Sequence, residues 1–561
     1  MAQPSWKMVL WAIGAASFII IESKAAEGVL PEVATRYGSL RGKRARVKGT
    51  EKLADVFLGV PFARPPTGSL RFSPPQPPQP WDGVKDATAH PTVCPQDLST
   101  LKGIQKRWKE THPPLHSSED CLYLNIYRPA NSSHASKFPV MVWIHGGEFI
   151  FGAASRFDGS ALAAYEDVVV VIIQYRLGIL GFFSTGDENA RGNWAALDHL
   201  AAFRWIRDNI KPFGGDPESV TLFGVSAGSF LVSAHILSPL SKGLFHRAIL
   251  ESGTSLFPLA FKSKPRLYEE MQKLAQALAC EASSSAAVVQ CLRQKSEREL
   301  IASQRAIQNF GLVVDGVFLP KTSEDLLAGK ELNAVPLIVG VTNNEFGWNI
   351  RRTSQLEGLK EPGDRNTMFA TLRALGSPLG VPEEVLPMLL DEYLGDTSDP
   401  DKLRDGFLDL LGDAAFVVPA IRTLNYLKEA GAPVYFFEYQ HRPSLYHDTK
   451  PDYVKADHAD EVGFVFGGPF LTGDTRLRDE ATEDERLLSR TMMKYWANFA
   501  RTGNPNRDGL VEWPAYNNAE QYLELNLKQK ASRKLKEEKV EFWMKRLPEK
   551  IKELRGRHTE L

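Results

Sequence analysis

From residue 138 onward, short apolar runs alternate with stretches of helical spacing. Val140 to Ile144 is apolar on both faces and runs into His145-Gly146-Gly147, and Val168 to Gln174 is β-branched almost throughout. Both have the pattern of strands buried on two sides. The spacing of Leu197, Leu200, Ala201 and Trp205 predicts a helix over residues 195–210. Ser219–Phe223, Ala248–Leu250, Pro336–Val339 and Val434–Phe437 read as further strands. Asp315-Gly316, set between Leu312–Val314 and Val317–Leu319, predicts a hairpin turn. Alternation of this kind implies an α/β fold with a mostly parallel sheet covered by helices.

The flanking regions read differently. Pro65-Pro66 and the prolines between Pro74 and Pro80 predict extended, irregular chain within the first hundred mature residues. Residues 350–410 are polar and acid-rich with helical runs, and are expected to form a cap or side subdomain. Residues 528–555 are dense in Lys and Glu, with Phe542, Trp543 and Leu547 spaced to pack one face of a solvated surface helix. No repeat or clean linker interrupts the pattern. One catalytic domain over residues 27–557, with insertions, is the simplest organisation.

Composition narrows the function class. The 561 residues are 43% hydrophobic and carry a formal net charge of −1, so a nucleic-acid binder with a basic surface field is excluded, as is a disordered chain. A basic Lys7, an apolar run from Met8 to Ile21 and small residues at Ser23, Ala25 and Ala26 fit a cleaved signal peptide over residues 1–26. At about 1.5 Å per residue that run is too short to cross about 30 Å of hydrocarbon, so no transmembrane anchor is expected. The chain ends His558-Thr559-Glu560-Leu561, which resembles a receptor-read retention tetrapeptide. Together the two ends predict residence in the lumen of the endoplasmic reticulum. Four cysteines in an oxidising lumen allow three connectivities, of which the local one pairs Cys94 with Cys121 and Cys280 with Cys291. Metal-ligand spacings are missing, and Asn131-Ser132-Ser133 is a glycosylation sequon in a polar stretch.

The chemistry concentrates at Gly224-Val225-Ser226-Ala227-Gly228, placed between an expected strand and an expected helix over 230–237. That context is the signature of a nucleophile elbow. Small residues two positions either side let the chain turn sharply and lift the Ser226 hydroxyl clear of the sheet. The Ala227 N–H is left at a helix N-terminus, suited to an anion. A serine hydroxyl needs a base, and the base an acid to fix its tautomer. Glu345, just past the strand that reaches Gly340, suits the acid, whereas Asp315 is explained as a turn residue. His441, His447 and His458 all follow Glu345 ahead of the terminal His558; nearness to the strand at 434–437 leans toward the first two, and periodicity does not choose.

The chain resembles the type-B carboxylesterase/cholinesterase family. The resemblance rests on Phe57-Leu58-Gly59-Val60-Pro61-Phe62-Ala63, Glu119-Asp120-Cys121-Leu122-Tyr123-Leu124-Asn125, Gln174-Tyr175-Arg176-Leu177-Gly178 and Gly192-Asn193-Trp194. It continues through Phe213-Gly214-Gly215-Asp216-Pro217, Asp457-His458-Ala459-Asp460-Glu461 and Tyr495-Trp496-Ala497-Asn498-Phe499. Within the family the match is most similar to the mammalian type-2 carboxylesterases, through Val454-Lys455-Ala456-Asp457-His458 and the terminal tetrapeptide. The resemblance implies an α/β-hydrolase fold, a base at His458, an acid at Glu345, both local disulfides and an oxyanion hole made by the N–H groups of Gly147, Glu148 and Ala227. Ser252 resembles the family serine that hydrogen-bonds the catalytic acid.

Three positions depart from the family pattern. Glu148 replaces a glycine frequent in the oxyanion loop, Val225 a frequent glutamate and Ser229 a frequent glycine. Like charges about 4 Å apart repel by roughly 4 kcal/mol at an effective dielectric near 20, so the Glu148 carboxylate is expected to point away from the site; otherwise the hydrolase is slow. The reading is a serine carboxylesterase working through an acyl-enzyme on small-molecule carboxylic esters, and on thioesters, amides and lipid esters, without cofactor or metal. Its rivals are a narrower acylglycerol lipase or retinyl ester hydrolase and, from another class, a catalytically weak cholinesterase-like adhesion protein.

Overall fold

The period-two alternation of the apolar runs divides their side chains between two faces of one sheet. Val140, Val142 and Ile144 enter one core and Met141 and Trp143 the other; Val169, Val171 and Ile173 oppose Val170 and Ile172 in the same way. The computed structural model describes residues 30–110, 115–257, 261–307, 309–353, 363–379, 381–472 and 481–559. The expected signal peptide, residues 1–26, and the last two residues lie outside them.

Eleven strands build the central sheet. They are β1 (Lys43–Arg46), β2 (Leu53–Pro61), β3 (Tyr123–Pro129), β4 (Phe138–Ile144), β5 (Val169–Ile173), β6 (Gly215–Val225), β7 (Arg247–Glu251), β8 (Leu337–Thr342), β9 (Val434–Tyr439), β10 (Gln521–Leu525) and β11 (Lys530–Arg533). Their spatial order is β11-β10-β9-β8-β7-β6-β4-β5-β3-β2-β1. The run from β5 through β10 is parallel, and the remaining pairings toward both edges are antiparallel. Each expected strand of the central sheet is found, most of them extended by a few residues. The helix α1 (Trp194–Asn209) occupies the expected place, and α2 (Ala227–Leu237) starts directly after Ser226. Ser229 is therefore the third residue of α2; its hydroxyl donates to the Gly253 carbonyl at 2.6 Å.

Several expectations are corrected. Asp315-Gly316 does not close a hairpin. Leu312–Val313 pairs in parallel with Phe261–Lys262 instead, and the Asp315 carboxylate accepts the N–H groups of Val317, Phe318 and Leu319, an Asx-type turn that outcompetes ladder pairing. The early region is not irregular throughout, because β1 and β2 form there. Residues 530–533 are a Lys-bearing edge strand rather than the start of a helix, a common device against edge pairing. Beyond them Phe542 and Leu547 are buried in a separate apolar cluster with Leu386, Leu390, Phe407 and Leu411. Helices Arg365–Leu379, Leu386–Leu394 and Pro400–Gly412 supply most of that cluster, which lies where the acid-rich insertion was expected. Cys94 is bonded to Cys121 and Cys280 to Cys291. Asn131 is exposed in the turn after β3.

Candidate active site

β6 ends at Val225 and α2 begins at Ala227, so a single residue makes the turn between them. Ser226 takes φ 56°, ψ −126° to do so, a sparsely populated conformation of the kind found where strain serves function. Its N–H donates to the Glu251 carbonyl and its own carbonyl accepts from Phe230, both at 2.9 Å. Glycine is required on every side of it. A Cβ on Gly228 would stand 2.0 Å from the Ile144 carbonyl oxygen, one on Gly253 2.7 Å from the Ser226 carbonyl oxygen, and one on Gly146 3.1 Å from the Ser226 Cβ. The His145-Gly146-Gly147-Glu148 loop thus lies directly against the serine.

Gly147 and Glu148 both have positive φ, 126° and 52°. The second is unusual for a residue with a side chain, and the Glu148 side chain is exposed. The loop is fastened from below. Tyr175 donates its hydroxyl proton to the His145 carbonyl at 2.6 Å and stacks on the imidazole. Burial lowers His145 to a pKa of about 4, so that ring is neutral. Ala227, the first residue of α2, has one of the four N–H groups that find no intrahelical acceptor.

On the adjoining strands, Glu345 follows the end of β8. Its Oε1 accepts the Ser252 hydroxyl at 2.7 Å and the Thr342 N–H at 2.7 Å, and its Oε2 meets His458 Nδ1 at 2.6 Å. Both partners are buried. Burial works against a charged imidazole, but the hydrogen bond to Glu345 and its charge outweigh it and hold His458 above its ordinary pKa. His458 Nε2 is buried with no hydrogen-bond partner among the described residues, so it makes no hydrogen bond to Ser226. The two are linked through the framework: Ser226 N–H to the Glu251 carbonyl, then Ser252 to Glu345, then Glu345 to His458. Catalytic hydrogen bonds often tighten only in a substrate complex.

The other histidines are accounted for elsewhere, against the lean that proximity to β9 gave. His441 bonds Glu485 at 2.9 Å, and His447 is exposed. Of the three, His458 is the one that meets Glu345, because the loop after β9 is long enough to carry it there. Several neighbouring residues were given no role by the sequence. Asp457 accepts the Trp348 and Asn349 N–H groups at 3.1 and 2.9 Å, Asn349 Nδ2 donates to the His458 carbonyl at 2.8 Å, and the buried Lys450 pairs with Asp457 and Asp460. Phe416 sits in a π-helical turn over Asp413–Val417 and packs on the His458 ring at 4.9 Å, with Phe257 stacked behind it. Leu256 and Ala414, close to those rings in sequence, help line a cavity of about 320 Å³ with Val418, Trp543 and Met544.

Residues 30–543 match the model of the carboxylesterase family. The chain is 50% identical over 539 residues to "Fatty acyl-CoA hydrolase precursor, medium chain" of Anas platyrhynchos, covering 95% of each protein. The chain belongs to the carboxylesterase family. It is 49% identical to human carboxylesterase 5A over 542 residues, with 97% of this chain and 93% of that one covered, and 46% identical to human cocaine esterase over 551 residues, with 97% of each covered. Membership makes it a carboxylic-ester hydrolase with the α/β-hydrolase fold. Among the described residues no helix is long and apolar enough to cross a membrane, and no cluster of three His, Cys, Asp or Glu suits a metal ion.

Proposed function

We propose that this carboxylesterase works through Ser226, His458 and Glu345. Ser226 Oγ attacks the ester carbonyl while His458 Nε2 takes its proton. Collapse of the tetrahedral intermediate returns that proton to the leaving alkoxide and leaves an acyl-serine. Water, deprotonated by the same nitrogen, then releases the acid and restores the hydroxyl. Glu345 holds the imidazole with Nε2 directed to the serine, Ser252 steadies Glu345, and the N–H groups of Gly147, Glu148 and Ala227 receive the oxyanion. The observation that carries this reading is the 2.6 Å contact between His458 Nδ1 and Glu345, fixing one nitrogen and leaving the other unpartnered.

The substrates are proposed to be broad: carboxylic esters, thioesters and amides, with an apolar group accommodated by the aromatic wall at Phe257 and Phe416. Relatives named fatty acyl-CoA hydrolase, cocaine esterase and pyrethroid hydrolase support that breadth. Residence in the endoplasmic reticulum through His558-Thr559-Glu560-Leu561, with glycosylation at Asn131, is supported by the two disulfides, which need an oxidising compartment. Labelling with a fluorophosphonate probe tests the mechanism. The wild type labels, and Ser226→Ala neither labels nor turns over an aryl ester. Equal labelling of both proteins, or none of the wild type, overturns it.

A further inference from the structure

Between β9 and His458 the chain forms one short 3₁₀ turn, Ser444–Tyr446. The main chain of the proposed base therefore has to be held from outside its own loop. Asn349 does much of that holding. Its N–H donates to Asp457 Oδ2 at 2.9 Å, and the other oxygen of that carboxylate accepts the His458 N–H at 2.9 Å. Its side-chain Nδ2 donates to the His458 carbonyl at 2.8 Å, and its Oδ1 accepts the indole N–H of Trp108 at 2.7 Å. No step of the mechanism above uses this last contact.

An indole N–H can only donate and a carbonyl can only accept. The Asn349 amide therefore fits in one orientation, since a flip would set its NH2 against the indole N–H and its oxygen against the carbonyl. Asn349 is buried, where losing one partner leaves the other polar group unsatisfied. Trp108 is itself fixed to the opposite half of the site. Arg156 lies over its ring with the guanidinium carbon 4.6 Å from the centroid, and the buried Glu110 holds that guanidinium at 2.9 and 3.0 Å. Arg156 ends the turn Ala154–Arg156, just beyond the loop proposed to receive the oxyanion. Earlier in the stretch that carries Trp108, Gln96 Oε1 accepts the Gly152 N–H at 2.9 Å and its Nε2 donates to the Gly152 carbonyl at 2.8 Å. Gly152 packs on the same loop, because a Cβ there would stand 2.3 Å from His145 Nδ1. The Cys94–Cys121 disulfide closes the stretch.

We propose that Trp108 and Asn349 are positioning residues for the reaction, tying the main chain of His458 to the frame that carries the oxyanion loop. The inference rests on the triad reading above. Glu345 fixes the imidazole at Nδ1 alone, a bond about which the ring can still swing. Holding the peptide groups on both sides of the ring limits that swing. A displacement of about 1 Å in a reacting group can cost about a hundredfold in rate, so restraint of this kind acts on turnover rather than on substrate affinity.

Turnover of one aryl ester, expressed per site labelled by a fluorophosphonate probe, tests this, because the count of labelled sites discards protein that has not folded. Trp108→Phe keeps a ring beneath Arg156 and removes only the N–H; its kcat is expected to fall about fivefold with KM unchanged within about twofold. Asn349→Leu removes both side-chain bonds and is expected to lose about thirtyfold in kcat, again with KM unmoved. The combined variant should lose no more than Asn349→Leu alone, since the indole acts through the amide. Losses that multiply in the combined variant overturn the inference. So does a change confined to KM, or a kcat per labelled site equal to that of the wild type, the result of a merely structural role. Should Asn349→Leu not accumulate, Trp108→Phe decides alone, and an unchanged kcat per labelled site overturns the inference. Ser226→Ala, assayed per milligram alongside, keeps the two readings apart. If it retains turnover the triad fails, whereas its loss of turnover beside a Trp108→Phe variant of wild-type kcat sinks only the positioning role.

Discussion

Ser226 and the loop against it are held by backbone, whereas Glu345 and His458 are held by side chains. On the side of the proposed nucleophile the placement comes from torsions that few residues adopt, φ 56° at Ser226, 126° at Gly147 and 52° at Glu148, and from glycines packed against main-chain oxygens. On the side of the proposed acid and base Ser252, Thr342, Asn349 and Asp457 each contribute a hydrogen bond, and Lys450 holds the loop electrostatically. Steric exclusion at close contact is unforgiving, while a hydrogen-bonded network loses strength one bond at a time. The two sides should therefore respond differently to substitution, and most strongly where the chemistry itself depends on a charge.

The largest expected effect is from Glu345→Gln, which keeps the shape of the acid and removes its charge. A loss of about 10³- to 10⁴-fold in kcat is expected, as when the acid of a triad is neutralised. The pH profile should move as well. His458 is held above 6.5, the ordinary imidazole value, and only its neutral form accepts the serine proton, so the wild-type acid limb should lie above 6.5. The same shift makes the couple stabilising below the unfolded value, a contribution lost as pH rises through the folded one. In Glu345→Gln the limb should fall below 6.5, because burial then acts unopposed by that carboxylate. A limb left in place, with activity intact, would show that the acid is elsewhere.

Glycine to alanine sharpens the contrast, since the same change should have opposite signs on the two sides. Gly228→Ala puts a Cβ 2.0 Å from the Ile144 carbonyl oxygen, backbone against backbone. A destabilisation of about 3 kcal/mol is expected. Gly412, beside Glu345, lies in a right-handed helical conformation, and its added Cβ would meet the Glu345 Cβ at an ordinary 3.5 Å. Gly412→Ala should be neutral or stabilising by up to about 1 kcal/mol. Thermal melts of the two variants decide it, and equal losses would remove the distinction.

The contrast also explains what could be read from the chain. The elbow is local: a strand, five residues of which three must be small or nucleophilic, and a helix, so Ser226 and its flanking glycines are visible in one short string. The strands were visible because burial on both faces leaves only apolar residues. Glu345 and His458 meet across 113 residues, and no spacing rule carries information over that distance. Residue types left three histidines open, and only the family motif separated them. The Asp315 turn misled because a hairpin and an Asx turn use the same two residues.

The smallest expected effect concerns Glu148, where the two kinds of construction meet in one residue. Its backbone is proposed to donate to the oxyanion, while its side chain is exposed and therefore solvated. Solvation reduces the repulsion between carboxylate and oxyanion toward about 1 kcal/mol at 4 Å, the value in bulk water. That corresponds to about fivefold in rate, well short of the thousandfold expected of a dry site. Glu148→Gly removes the charge and also relieves the left-handed φ of 52°, a gain of roughly 1 kcal/mol in folding stability. A modestly raised melting temperature with turnover up by about fivefold is expected. A hundredfold rise in kcat would mean that the carboxylate faces the reacting oxygen, and that this side of the site is governed by charge as much as by backbone.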